Sequence, residues 1–321
     1  MSESPGLSSI KVVGVGGAGI AALNHMIEKG IEGVAFHAID TDVEGLSASS
    51  KGATALLIGE TVTCGRATGG DLDAGRRAAE ESHDRIWDLL HNGELVFLTA
   101  GIGGGTGSGA APVIARIAKQ ELRALTVAMV TYPFGFEGPL RGLAAAEGIE
   151  ALTQTVDTVM VIPNDRFLES SEIPLSVTDV FQFGYAHVHQ VVQTLTEMIT
   201  KPTLLRRDFA DVRAIILDSG RGMMTIGRAS GEDRALEAAR QATRSELLDL
   251  SIDGARGILF SVTGDTSMTL SELNEIASII LERIGWDAFL IFGFAIDEDL
   301  PEGIELTLIA TGLDTTTAAG M

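Results

Sequence analysis

The sequence predicts an α/β protein: a parallel-sheet domain, a long connecting helix, and a smaller α/β domain at the C-terminal end. Three observations predict it. From Ile10 onward, short β-rich apolar runs alternate with amphipathic helical stretches, the pattern of a parallel sheet covered by helices. Two glycine-rich turns each follow an apolar run and open a helical one. A proline-free stretch at 178–199 then repeats apolar residues at helical spacing, and further strand-like runs follow it.

IKVVGV (10–15) reads as the first strand, 20–29 as the helix after it, and GVAFHAID (33–40) as the second strand. Residues 71–92 read as one polar-faced helix, with Arg76, Arg77, Glu80, Glu81 and Asp84 opposite Ala78, Ala79, Ile86 and Leu89. LVFLTA (95–100) is a strand leading into a glycine turn and a helix at 108–120. LTVAMVTYP (125–133) and TVMVIPND (158–165) complete the first set of strands. The helix at 178–199 carries Val180, Phe181, Gly184, Val188, Val191, Val192, Leu195, Met198 and Ile199 in i, i+3/i+4 register, and Pro202 ends it. RAIILDS (213–219), GILFSVTG (257–264), AFLIFGFAI (288–296) and IELTLIATGL (304–313) read as strands. Helices at 231–245 and 269–284 separate them, the second opening with Thr269 and Glu272 as a capping box. The boundaries expected are 1–177 for the sheet domain, 178–203 for the connecting helix, 204–316 for the second domain and 317–321 for a tail.

Composition narrows the function classes. Lys and Arg total 23 against 44 Asp and Glu, a formal charge of −21 that repels nucleic-acid backbones, so no nucleic-acid partner is expected. A phosphate ligand would have to be held locally, by backbone N–H groups, a helix N-terminus or a cation. The same charge implies that magnesium or another cation screens self-association. Cys64 is the single cysteine, which excludes an intrachain disulfide and a cysteine zinc site and fits a reducing cytoplasm. MSESPGLSS at the start lacks a secretory signal, and the longest apolar run, near 288–296, is too short to cross a bilayer. A cytoplasmic chain without direct membrane insertion is expected.

Gly14-Val15-Gly16-Gly17-Ala18-Gly19 matches G-x-G-x-x-G between a strand and a helix, with Asp40 at the end of the second strand. Glycines admit a phosphate close to the backbone, and the helix N-terminus supplies free N–H donors. This loop fits a dinucleotide-dependent oxidoreductase as well as other nucleotide proteins. The second loop separates them. In residues 101–109, GIGGGTGSG, six of nine are glycine, with Pro112 in the following helix. Successive amides can curl around an anion, and the Thr106 and Ser108 hydroxyls can add donors. No lysine follows, so it is not a Walker A loop. Two anion-binding helix N-termini on one sheet fit a di- or triphosphate gripped from two sides. His187 and His189 lie two apart and face different ways, Asp253, Asp297 and Asp299 read as solvated loop acids, and Met223 and Met224 as packing residues, so no metal site is expected.

GGGTGSG resembles the signature loop of the FtsZ/tubulin family, and so do TYPFGFEGPLR (131–141), TVMVIPNDRFLE (158–169), DFADVR (208–213), SIDGAR (251–256) and AIDEDL (295–300), in family order over about 10–313. The resemblance implies a Rossmann-like nucleotide-binding domain and a self-assembling cytoskeletal GTPase of cell division and septation. Its cofactor would be GTP or GDP, with magnesium accompanying the nucleotide. Gly16, Gly17 and Ala18 would contact the diphosphate. Gly104, Gly105, Thr106, Gly107 and Ser108 would cradle the phosphates, and Thr68 and Gly69 would lie near the γ-phosphate. Glu137 and Arg141 would reach the ribose and base side, Asn164 the guanine edge and Phe181 the base face. Three positions depart from the family: Ala21 replaces an asparagine, Tyr185 an aspartate that receives guanine's donors, and Asp71 adds negative charge in the loop near the γ-phosphate.

Hydrolysis in the family is completed by the next subunit of a head-to-tail filament, and Asp208 and Asp211 match the two acids that polarise the attacking water. Arg206 stands where the family has asparagine. It reads either as an arginine reaching the neighbour's γ-phosphate, as an ion-pair partner that withdraws a carboxylate, or as a surface residue. Self-association is the implied partnership, with division proteins or membrane tethers beside it. A weakly hydrolysing scaffold or regulatory paralogue is the alternative.

Overall fold

The computed structural model describes residues 9–49, 51–169, 176–200, 209–245, 250–284, 288–297, 300 and 303–313. The chain forms two compact units, Met1–Thr200 and Lys201–Met321.

The first unit is built on six strands: β1 (Ile10–Val15), β2 (Ala35–Asp40), β3 (Ala53–Leu57), β4 (Leu95–Gly101), β5 (Leu125–Tyr132) and β6 (Thr158–Pro163). They lie in the order β6-β5-β4-β1-β2-β3, every pair parallel. The central strands are apolar on both faces because helices cover both: all six residues of β1 and the first six of β4 are buried. The helices are α1 (Gly16–Lys29), α2 (Val43–Ser47), α3 (Glu60–Thr63), α4 (Leu72–Glu81), α5 (His83–Leu90), α6 (Gly105–Arg116), α7 (Pro139–Thr153), α8 (Asn164–Glu169) and α9 (Val177–Thr200). The connection from β1 runs to one side through β2 and later returns to the other side at β4. The chain therefore has its switch point between β1 and β4, where the carboxyl ends of α/β strands open a crevice.

The stretch expected as one helix at 71–92 is two, α4 and α5, broken at Ser82. The Ser82 hydroxyl accepts the Gly59 N–H at 2.9 Å, and its backbone leaves helical geometry to do so. β3 carries no periodic signal, since ATALL is a half-exposed edge strand of small residues.

In the second unit α10 (Phe209–Ile216) leads into β7 (Gly220–Ser230), α11 (Arg234–Thr243), a short hairpin of β8 (Arg244–Ser245) and β9 (Leu250–Ser251), β10 (Gly257–Gly264), α12 (Leu270–Leu281), β11 (Phe289–Ile296) and β12 (Gly303–Thr311). Strand order is β11-β10-β12-β7, with β10–β11 parallel and β12 antiparallel to both neighbours. The strand expected at 213–219 is instead the end of α10, through Ile216, and the turn that follows it. The short apolar run Ala214–Leu217 suits either element, and its helical period became visible only with Phe209 and Val212. The true strand, GRGMMTIGRAS, is disguised by glycines, while Met223 and Met224 are buried in it as expected of packing residues. Thr269 and Glu272 form the expected capping box. Arg234 lies buried between Asp265 at 3.2 Å and Glu272 at 2.6 Å, tying α11 to α12. Pro202 and Asp299 lie outside the described residues.

Candidate functional site

The two glycine loops end β1 and β4, neighbouring strands, so the helices they open start side by side. α1 begins at Gly16 with backbone φ of +69°, and a Cβ there would stand 3.4 Å from the Gly107 nitrogen at the start of α6. A Cβ at Gly107 would lie 2.2 Å from the Gly101 carbonyl, so no side chain fits where α6 turns off β4. Neither helix start carries a side-chain cap. Their first-turn N–H groups have no intrahelical acceptor, and the positive ends of both helix dipoles converge.

Between them lies a cavity of about 470 Å³, within the ordinary range for a small-molecule site. Gly16, Gly17, Ala18, Gly104, Gly105, Thr106 and Gly107 line one end, with Thr68 and Gly69 beside them. The Thr106 hydroxyl lies 3.1 Å from that of Thr41 and 3.5 Å from that of Thr68, joining three loops through their hydroxyls. The other end is formed by Glu137, Arg141, Asn164, Phe181 and Tyr185. Glu137 and Arg141 pair with each other, and Glu137 also accepts the Phe134 N–H at 2.9 Å. Phe181 stands edge-on to Phe134, ring centres 5.5 Å apart. Tyr185 is half-buried on α9, and burial pushes its phenol above the usual range, which keeps it protonated. Among the described residues, Glu137 and Arg141 are the only charged ones that line the cavity. An anion there meets backbone dipoles and hydroxyls, with no carboxylate at the glycine end to repel it.

Several residues singled out from the sequence do not face the cavity. Ser108 is buried outside the lining, and its hydroxyl accepts the Gly103 N–H at 2.8 Å, bracing the loop from behind. Ala21 lies on α1 away from the lining. Asp71 is not among the lining residues, and its carboxylate caps α4 by accepting the Ala74 N–H at 3.2 Å. Asp40, placed where a dinucleotide fold keeps its ribose-binding acid, is buried, accepts the Thr41 N–H at 2.7 Å and is pushed up by desolvation. Asp211 lies in the first turn of α10 in the second unit, and Arg206 and Asp208 lie outside the described residues. His189 donates to or accepts from Gln193 at 2.8 Å and packs edge-on to His25.

Thr131, Pro133, Ile102, Ala67 and Gly70 line the cavity without having been singled out. Thr131 and Pro133 stand at the carboxyl end of β5, on the rim where such sheets bind ligands, a position that the strand itself marks in the sequence.

A doubly wound sheet with two bare helix N-termini at its switch point is an arrangement by which α/β proteins can hold a phosphate without a lysine. Residues 9–172 match the Tubulin/FtsZ family, GTPase domain, and residues 220–314 match the FtsZ family, C-terminal domain. An FtsZ dimer from M. jannaschii is 40% identical over 96% of this chain and 89% of that one, with a TM-score of 0.86. Two structures from Haloferax volcanii share the fold. A GTPγS-bound CetZ2 protofilament is 19% identical over 96% of this chain and 94% of its own, TM-score 0.80. A GDP-bound CetZ1 monomer is 23% identical over 96% and 95%, TM-score 0.77. The chain belongs to the FtsZ/tubulin family. It is an FtsZ-like cytoskeletal protein with a GTPase domain, in a family that binds GTP and GDP. Among the described residues no helix is long and apolar enough to cross a membrane.

Proposed function

We propose that the chain binds a guanine nucleotide in this cavity, assembles head to tail, and hydrolyses GTP where one protomer closes the site of the next, in the service of cytoplasmic cell division. The observation that carries this reading is the convergence of two uncapped helix N-termini on a cavity whose charged lining residues, among those described, are the paired Glu137 and Arg141. Gly16, Gly17 and Ala18 hold the diphosphate. Gly104 to Gly107 cradle the β- and γ-phosphates through backbone N–H groups, with the Thr106 hydroxyl beside them. Thr68 and Gly69 border the γ-phosphate, Glu137 and Arg141 the ribose, and Asn164, Phe181 and Tyr185 the base. Ser108 acts through the loop it braces.

Among the described residues that line it, the glycine end carries no general base. Water attack on the γ-phosphorus, releasing GDP and inorganic phosphate, therefore draws its base from another molecule, for which Asp208 and Asp211 of the next protomer, with Arg206 beside them, are the candidates. Among the described residues no group of three or more His, Cys, Asp or Glu could hold a metal ion; magnesium would accompany the nucleotide's own phosphates. Self-association accords with the M. jannaschii FtsZ dimer and the CetZ2 protofilament. We propose the domain limits 1–177, 178–203 and 204–316 with a tail at 317–321, and division proteins or membrane tethers as further partners.

The test is phosphate release per protomer, measured with GTP and magnesium over a concentration series alongside right-angle light scattering. Turnover that is negligible at low concentration and rises together with scattering above a threshold is expected. Turnover per protomer independent of concentration would sink catalysis in trans. Scattering with almost no phosphate release would favour the second reading, a scaffold that binds nucleotide and hardly hydrolyses it.

A further inference from the structure

Beside the paired Glu137 and Arg141, the base end of the cavity is lined, among the described residues, by the neutral polar groups of Asn164 and Tyr185. Asn164 opens α8 at the end of β6 and is 9% exposed, and Tyr185 projects from α9. Among the described residues neither the Asn164 amide nor the Tyr185 phenol is engaged in a hydrogen bond, so both are available to a ligand. The nearby carboxylates are committed. Asp165 accepts the Gly135 N–H through both oxygens at 2.9 and 3.1 Å, and Glu137 is held by Arg141 and the Phe134 N–H.

Guanine presents two adjacent donors, N1–H and the 2-amino group, and an ionised carboxylate matches both at once. A phenol oxygen accepts one bond from a neutral group, and its O–H can rotate to donate instead. Burial keeps Tyr185 protonated, so the wall carries no negative charge. A wall of this kind receives N1–H, leaves the 2-amino group without a charged acceptor, and has no carboxylate to reject a purine that lacks it.

We infer that this site is nearly blind to the purine 2-amino group, so that guanine and hypoxanthine nucleotides bind almost alike, with Tyr185 as the residue that sets this selectivity. The inference rests on the nucleotide reading above. Its test is displacement of a fluorescent GTP analogue from nucleotide-stripped full-length chain by GTP, ITP and ATP, repeated with Tyr185→Asp and Tyr185→Phe. The wild type is expected to bind ITP within about threefold of GTP, because no charge-assisted bond rewards the extra amino group. Tyr185→Asp should then raise GTP over ITP by about tenfold or more, by supplying that bond. Tyr185→Phe, whose fold is the safer of the two, should weaken GTP and ITP together and leave their ratio unchanged. A wild-type preference for GTP over ITP of about tenfold or more overturns the inference while leaving nucleotide binding intact, and so does a ratio that shifts in Tyr185→Phe. Failure of every purine triphosphate to displace the probe overturns the nucleotide reading itself.

Discussion

At the residue scale the site works by what its side chains omit. Gly17 shows this most directly: a Cβ built there meets nothing within 4 Å, and its backbone is ordinary helix, so alanine fits the folded chain. The methyl would stand in the cavity. Gly17→Ala is therefore expected to melt at or slightly above the wild-type temperature, since alanine is favoured over glycine in a helix by about 1 kcal/mol. Its nucleotide affinity should fall by about tenfold or more, ~1.4 kcal/mol. Calorimetric unfolding and nucleotide titration check the two halves, and an unchanged affinity would remove α1's first turn from the binding site. Ser108 and Asp71 illustrate the opposite lesson. Ser108 lies in the first turn of α6 and Asp71 at the N-terminal cap of α4, and each side chain accepts a backbone N–H, Ser108 from Gly103 and Asp71 from Ala74.

At the scale of elements, glycines do two jobs that a sequence motif merges. A Cβ at Gly109 would lie 2.1 Å from the Leu72 carbonyl and one at Gly75 2.2 Å from the Gly105 carbonyl, so α4 and α6 pack backbone against backbone. Part of the signature loop's glycine content thus serves helix packing. The α4–α5 break has its own anchor. Ser82 and the Gly59 N–H it accepts are both buried, and removing the hydroxyl leaves that N–H without a partner. Ser82→Ala should cost about 1–3 kcal/mol in a urea titration. A loss well below that range would show that the break at Ser82 is set by the flanking packing alone. No period of apolar residues announces such a break, because the hydrophobic faces of α4 and α5 continue the same helical spacing through it.

For the whole molecule, the formal charge of −21 sets the conditions for association. Like-charged protomers repel over a Debye length that shrinks from about 30 Å at 0.01 M salt to about 3 Å at 1 M. The threshold concentration for GTP-dependent light scattering should accordingly fall as potassium chloride is raised across that range. A threshold that rises with salt would mean that the contact is held mainly by opposite charges across the interface.

The local pattern of the chain was enough for most of the architecture and for the existence of the site. Parallel-strand burial writes itself as continuous apolar runs, and the glycine loops that end β1 and β4 are contiguous, so both could be read in order. Where period or composition is ambiguous the sequence misleads: the apolar end of α10 has a strand's composition, and glycine-bearing β7 and small-residue β3 carry no alternation that marks a strand. Tertiary structure alone decided which residues share the cavity and which way each polar group is spent. Lining depends on strand order and on packing between elements far apart in sequence, which brought Thr131 and Pro133 in and left Ala21, Asp40 and Ser108 out. A hydroxyl or carboxylate beside a phosphate loop has many backbone N–H groups within reach, and only the folded geometry shows which of them it has taken.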